Sequence, residues 1–224
     1  MNRVATIALV TLTGLACMAL VYFQRMGWPQ LAVAAKLAAS LGYLATAISA
    51  GCLRQRVGQI VFAGLVLSFI GDLLLIGLSQ RNFLLGLMSF LLAHIAYVTA
   101  FVTAGLDRKW VLRSAVPVIA IAALVLLWIS PHVAPYLATP VYIYTAVISL
   151  MVIAAFGARG AGASRLIVAG ALMFFVSDLS VAAQRIIELD FPTIIWGLPL
   201  YYAGQLCLAL GAAQWSLLVG DHDD

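Results

Sequence analysis

Apolar residues run along this chain in blocks of similar length, separated by short polar breaks. A window of about 19 residues marks apolar segments at 4–23, 30–50, 58–79, 83–104, 111–130, 136–156, 164–184 and 196–219. A bilayer core of about 30 Å is crossed by about 20 apolar residues in an α-helix, so each block predicts one transmembrane helix. The breaks carry loop chemistry: Gly27-Trp28-Pro29, Arg54-Gln55-Arg56, Gln80-Arg81-Asn82, Asp107-Arg108-Lys109, Pro131-His132, the glycine-rich stretch 157–162, and Glu188 to Pro192. The expected fold is all-α, a polytopic membrane protein with eight transmembrane helices in a single integral membrane domain over residues 1–224. The first block follows Arg3, as a signal peptide would, and Leu15-Ala16-Cys17 resembles a lipoprotein cleavage site. Gly14 stands where such a site wants a branched apolar residue, and the apolar run continues to Phe23. That is longer than a signal h-region, so a retained helix is expected.

Composition strengthens this reading. Of 224 residues 65% are hydrophobic and 9% charged, and the mean hydropathy is +1.11, which leaves no room for a separate soluble domain. The net charge of +4 comes from twelve scattered Lys and Arg. At block ends these act as membrane anchors and topology signals, not as a nucleic-acid surface, so no nucleic-acid partner is expected. Lys36 lies inside a block. Of the others, Arg3, Arg54, Arg56, Arg108, Lys109, Arg113, Arg159 and Arg165 fall on one side of the membrane, and Arg25, Arg81 and Arg185 on the other. The positive-inside rule then puts both termini in the cytoplasm, with the acidic tail Asp221 to Asp224 as a solvated end. A compact chain of this kind is expected in a bacterial inner membrane, with the endoplasmic reticulum as the alternative. Cys17, Cys52 and Cys207 lie in or beside apolar segments without metal-type spacing. They predict neither a disulfide framework nor a metal site.

Comparison of the chain with itself indicates a parallel repeat with halves at about 1–106 and 107–224, which four helices per half produce without inverting orientation. At an offset of 106, Ala63-Gly64 and Phe69-Ile70-Gly71-Asp72-Leu73 fall over Ala169-Gly170 and Phe175-Val176-Ser177-Asp178-Leu179, and Lys36 falls over Tyr142. With an offset of 111, Phe90 falls over Tyr201 and His94 over Gln205. Asp72 and Asp178, the two acidic residues within the blocks, coincide. An intramembrane carboxylate costs about 2.5–3.5 kcal/mol on insertion scales, so retaining two at equivalent positions points to function.

At a rise of 1.5 Å per residue, each Asp lies about 14 residues, or about 21 Å, from the cytoplasmic face. Lys36, Tyr142, Tyr144, Tyr201, Tyr202 and Gln205 enter from the opposite face, and His94 lies near the middle. All therefore populate one polar layer in the outer half of the membrane. Positions three, four and seven apart share a helix face. This gives the stripes Gly64, Ser68, Asp72; Phe90, His94, Tyr97, Phe101; Lys36, Ser40, Tyr43; and Tyr201 or Tyr202 with Gln205. Turned inward, these stripes enclose a polar pocket rimmed by aromatic rings. Two carboxyl groups in unequal surroundings there can divide acid and base roles. The bland reading is an ion-pair network of Asp72, Asp178 and Lys36 that fixes helix packing. A metal site has less support, since one of three histidines lies in the layer and no H-x-x-x-H pair occurs. No P-loop, G-x-G-x-x-G or G-x-S-x-G motif is present, and no cofactor or metal is expected.

These residues together resemble the YhhN-type lysoplasmalogenases, eight-helix integral membrane enzymes. The markers are Lys36, Phe69 to Leu73, the run Gly86 to Tyr97, Tyr142 with Tyr144, Gly170 followed by Ser177-Asp178, and Tyr201-Tyr202 with Gln205. The resemblance implies hydrolysis of the vinyl ether bond of a lysophospholipid substrate, lysoplasmenylethanolamine or lysoplasmenylcholine, to a fatty aldehyde and a glycerophospho-head-group. It implies Asp72 and Asp178 as catalytic residues. Lys36, His94, Tyr97, Tyr142, Tyr144, Tyr201, Tyr202 and Gln205 are the expected substrate-binding residues. A membrane transporter or proton-coupled carrier is the alternative, since repeated halves and midplane charges also occur there.

Overall fold

The computed structural model describes residues 3–77, 79–189 and 191–219; the tail Asp221 to Asp224 lies outside them. The eight apolar blocks form eight helices: α1 Arg3–Arg25, α2 Pro29–Ala50, α3 Arg56–Leu74, α4 Gln80–Ala104, α5 Arg108–Ile129, α6 Pro135–Gly160, α7 Arg165–Arg185 and α8 Ile194–Val219. Each contains a stretch long and apolar enough to cross a membrane. Large apolar side chains cover the outer faces, among them Val4 and Ile7 of α1 and Val116, Leu124 and Leu127 of α5. Water would solvate such a surface poorly and acyl chains solvate it well. The protein is an integral multi-pass membrane protein.

Helix ends follow local side-chain chemistry more closely than hydropathy. The third block is apolar to position 79, yet α3 stops at Leu74. Ser79 instead caps α4, its hydroxyl accepting from the Asn82 amide at 3.1 Å, which fixes the α4 start. The Asp107 carboxylate caps α5 by accepting from the amides of Lys109 at 2.8 Å and Trp110 at 3.0 Å. The Asp107 amide donates to the Gly157 carbonyl at 2.9 Å, tying the start of α5 to the end of α6. Both α2 and α6 begin on a proline, where the missing amide hydrogen costs nothing.

The helices pair as hairpins, α1 with α2, α3 with α4, α5 with α6 and α7 with α8, and these join through α2 on α8 and α4 on α6. Helix α8 also packs on α1 and α3, without comparable packing of α4 on α5 and α7. The two halves are therefore not packed alike throughout. Small residues set the closest crossings. A Cβ on Gly170 would lie 2.8 Å from the Gly204 carbonyl oxygen, so α7 and α8 meet backbone to backbone. A Cβ on Gly64 would lie 2.4 Å from the Tyr97 ring, so that ring of α4 packs directly against α3 where glycine leaves room. The main core contains Tyr43, Tyr97, Phe101, Phe174 and Tyr202 among alanines and aliphatic side chains.

Candidate active site

A cavity of about 240 Å³ opens at one end of the bundle. Its walls come from the last turns of α1, α3, α5 and α7 and the first turns of α2, α4, α6 and α8. In an up-and-down bundle these all lie on one side of the membrane. Asp72 and Asp178 both line it, with Lys36, Tyr144 and Tyr201.

Asp72 is 4% exposed and heavily partnered. The hydroxyls of Ser40 and Tyr201 each donate to its Oδ2 at 2.8 Å, and Lys36 Nζ lies 3.5 Å from Oδ1. This is the sole ion pair among the described residues. Behind it, Tyr202 lies 3.2 Å from the Ser40 hydroxyl and reaches toward the Lys36 carbonyl at 3.5 Å. Thus α2, α3 and α8 converge on one carboxylate. The cation and the hydroxyls offset much of the desolvation that burial of Asp72 incurs.

Asp178 lines the same cavity and is partly exposed. The Tyr144 hydroxyl donates to its Oδ2 at 2.6 Å, while the neighbouring Ser177 hydroxyl turns to the Phe174 carbonyl at 2.8 Å. No cation pairs with Asp178 among the described residues. Phe83, Val125, Ile129, Ile148 and Phe175 add apolar walls to the cavity.

The remaining residues expected from the sequence divide into two groups. His94, Tyr97, Tyr202 and Gln205 are buried but do not line the cavity. They form the layer behind it. The Tyr97 hydroxyl donates to Gln205 Oε1 at 3.0 Å and lies 3.3 Å from the Ser68 hydroxyl. His94 pairs through Nδ1 with the Phe90 carbonyl, and its ring packs edge-on against Phe174 at 4.6 Å and Tyr144 at 5.2 Å. Nε2 of His94 and Nε2 of Gln205 are buried without a hydrogen-bond partner among the described residues.

Tyr142 departs from expectation. It is 44% exposed on the outside of α6, away from the cavity. Two residues along a helix turn a side chain by about 200°, so Tyr144 faces the cavity and Tyr142 cannot. The repeat register paired Lys36 with Tyr142, but the two halves present different helix faces to their carboxylates. Gln24, Gln184 and Arg185 also line the cavity. The sequence pattern marks Arg185 only as a topology signal. Their signal in the sequence is position, at the helix ends bordering the polar layer.

An ammonium-paired carboxylate that shares a cavity with a carboxyl group having a hydroxyl partner and no cation can offer a base and an acid to one bound molecule. Apolar walls beside them suit a lipid chain.

Residues 30–212 match the YhhN family. Lysoplasmalogenase TMEM86A from Bos taurus is 31% identical over 198 residues, covering 83% of this chain and 75% of that protein. Lysoplasmalogenase TMEM86A from Homo sapiens is 32% identical over 161 residues, covering 69% of this chain and 65% of that protein, just under two thirds of its length. No solved structure matches. With the match extending over most of the chain, the protein belongs to the YhhN family.

Proposed function

We propose that this protein is a lysoplasmalogenase, which hydrolyses the vinyl ether bond of lysoplasmenylethanolamine or lysoplasmenylcholine by aspartate acid/base catalysis. The observation that carries the reading is that Asp72 and Asp178 line one cavity with unlike partners. The names of the bovine and human relatives support it.

A vinyl ether breaks when its outer alkene carbon is protonated, giving an oxocarbenium ion. Water captures the cation to form a hemiacetal, which collapses to aldehyde and alcohol. Asp178 is the proton donor, since its hydroxyl partner Tyr144 holds it in place and no ammonium faces it. Asp72 stabilises the cation and takes the proton from the attacking water, held ionised by Lys36 and oriented by Ser40 and Tyr201. The alkenyl chain lies along Phe83, Val125 and Ile129. His94, Tyr97, Tyr202 and Gln205 support the wall from behind. The eight-to-three division of cations supports cytoplasmic termini and a cavity mouth on the opposite side of the membrane, which we read as a bacterial inner membrane.

The test is aldehyde release by detergent-purified protein supplied with lysoplasmenylethanolamine, for the wild type, Asp72→Asn and Asp178→Asn. Loss of product in each variant, with the wild type active, is expected. Undiminished turnover in both would remove the acid/base roles, and a wild type that moves protons across liposomes on substrate addition without forming aldehyde would favour a carrier.

A further inference from the structure

A second hollow of about 470 Å³ adjoins the cavity at the same end of the bundle, lined in part by Gln24, Gly27, Trp28, Lys36 and Arg185. Gln24, Lys36 and Arg185 line both spaces. They therefore stand at the junction, between the carboxylates and the bundle end. Of the two cations there, Lys36 is engaged with Asp72 at 3.5 Å, its side chain 13% exposed. Arg185, the last residue of α7, is exposed and has no carboxylate partner among the described residues. Three arginines fall on this side of the membrane, Arg25, Arg81 and Arg185, and of these Arg185 alone is in the lining of either space.

We propose that Arg185 is the phosphate-binding residue of this site and that the second hollow takes the polar head group of a lysophospholipid. The inference rests on the lipid-hydrolase reading above. A guanidinium offers a planar fork of donors that matches two phosphate oxygens at once. An ammonium already paired with a carboxylate has less to give. The position also suits the chemistry of the lipid. In a 1-alkenyl lysophospholipid the reactive ether and the phosphate are joined by the glycerol carbons, so a bond held between Asp72 and Asp178 leaves the phosphate a short step toward the membrane surface. Arg185 thereby selects phosphorylated lipids over neutral glycerol ethers of the same chain length and fixes which end of the lipid faces the mouth.

The experiment measures binding without turnover. Full-length protein in detergent is titrated with a 1-O-alkyl lysophosphatidylethanolamine, which lacks the vinyl ether, and with the phosphate-free 1-O-alkylglycerol, for wild type, R185Q, R185K and R25Q. The expected result is a wild-type preference of at least about tenfold for the phosphorylated lipid. R185Q should collapse it to within about twofold, R185K should keep part of it, and R25Q should leave it intact. An unchanged preference in R185Q, an equal loss in R25Q, or no preference in the wild type would overturn the assignment. Arg185-dependent discrimination in a protein that releases no aldehyde from the vinyl ether lipid would retain this site and discard the hydrolase. Aldehyde release unaffected by R185Q at limiting substrate would do the opposite.

Discussion

Asp72 of α3 is gripped from two other helices, α2 and α8, with the Lys36 ammonium 3.5 Å from one oxygen and the hydroxyls of Ser40 and Tyr201 each 2.8 Å from the other. Asp178, in the same cavity, meets the Tyr144 hydroxyl at 2.6 Å and no cation among the described residues. Sequence alignment of the two halves makes these positions look alike. Their surroundings make them unlike, and that inequality is what an acid/base pair requires. It also separates two kinds of importance, because a paired buried charge contributes to folding as well as to chemistry, whereas a group without a charged partner need contribute only to chemistry.

The comparison breaks most sharply at Asp178→Asn. Aldehyde release should fall by about 10²–10⁴, the usual worth of a general acid, with the melting temperature almost unchanged. Asp72→Asn should reduce turnover by about 10²-fold or more and also destabilise the fold by about 3–5 kcal/mol, since it strands the Lys36 ammonium. Calorimetry on the double variant Lys36→Met/Asp72→Asn, with no charge left to strand, should show most of the melting temperature restored while activity stays absent. If Asp178→Asn instead melts early and Asp72→Asn does not, the assignment of roles is reversed or wrong.

Smaller effects sharpen the same contrast. Tyr144→Phe removes the hydroxyl that donates to Asp178 and should lower kcat about tenfold, the equivalent of one hydrogen bond of about 1.4 kcal/mol. Tyr201→Phe should lower it only about threefold, because Ser40 and Lys36 still hold Asp72. Gly170→Ala pushes a methyl group against the Gly204 carbonyl. Thermal unfolding should report a loss of about 1–3 kcal/mol from this overpacking. Tyr142→Ala, on the outer face of α6, should leave kcat/KM within about twofold. A large loss there would mean that the outward placement of Tyr142 is not the functional one.

The helices were legible because a bilayer imposes one length and one composition on every crossing. Asp72 and Asp178 were legible because acidic side chains are costly at that depth and stand out against 65% hydrophobic residues. The facing partner on α6 was not legible. Tyr142 and Tyr144 are two positions apart in one apolar run, and which of them points inward depends on how α6 rotates against α4 and α7. Periodicity identified His94, Tyr97 and Gln205 as inward-facing, and they are buried, but a pattern of faces cannot separate a cavity wall from the layer behind it. Arg185 was hidden for a different reason: charges at helix ends serve orientation so often that their other uses leave no mark in one sequence.

The grip of α2 and α8 on Asp72 bears on how the protein is made. Lys36 and Asp72 lie on α2 and α3, so their opposite charges can neutralise each other during synthesis, before any later helix has left the ribosome. The Tyr201 hydroxyl arrives on the last helix, α8. A nascent chain halted after α3 carries both members of the charge pair, while the finished hydrogen bonding of that carboxylate awaits the end of translation.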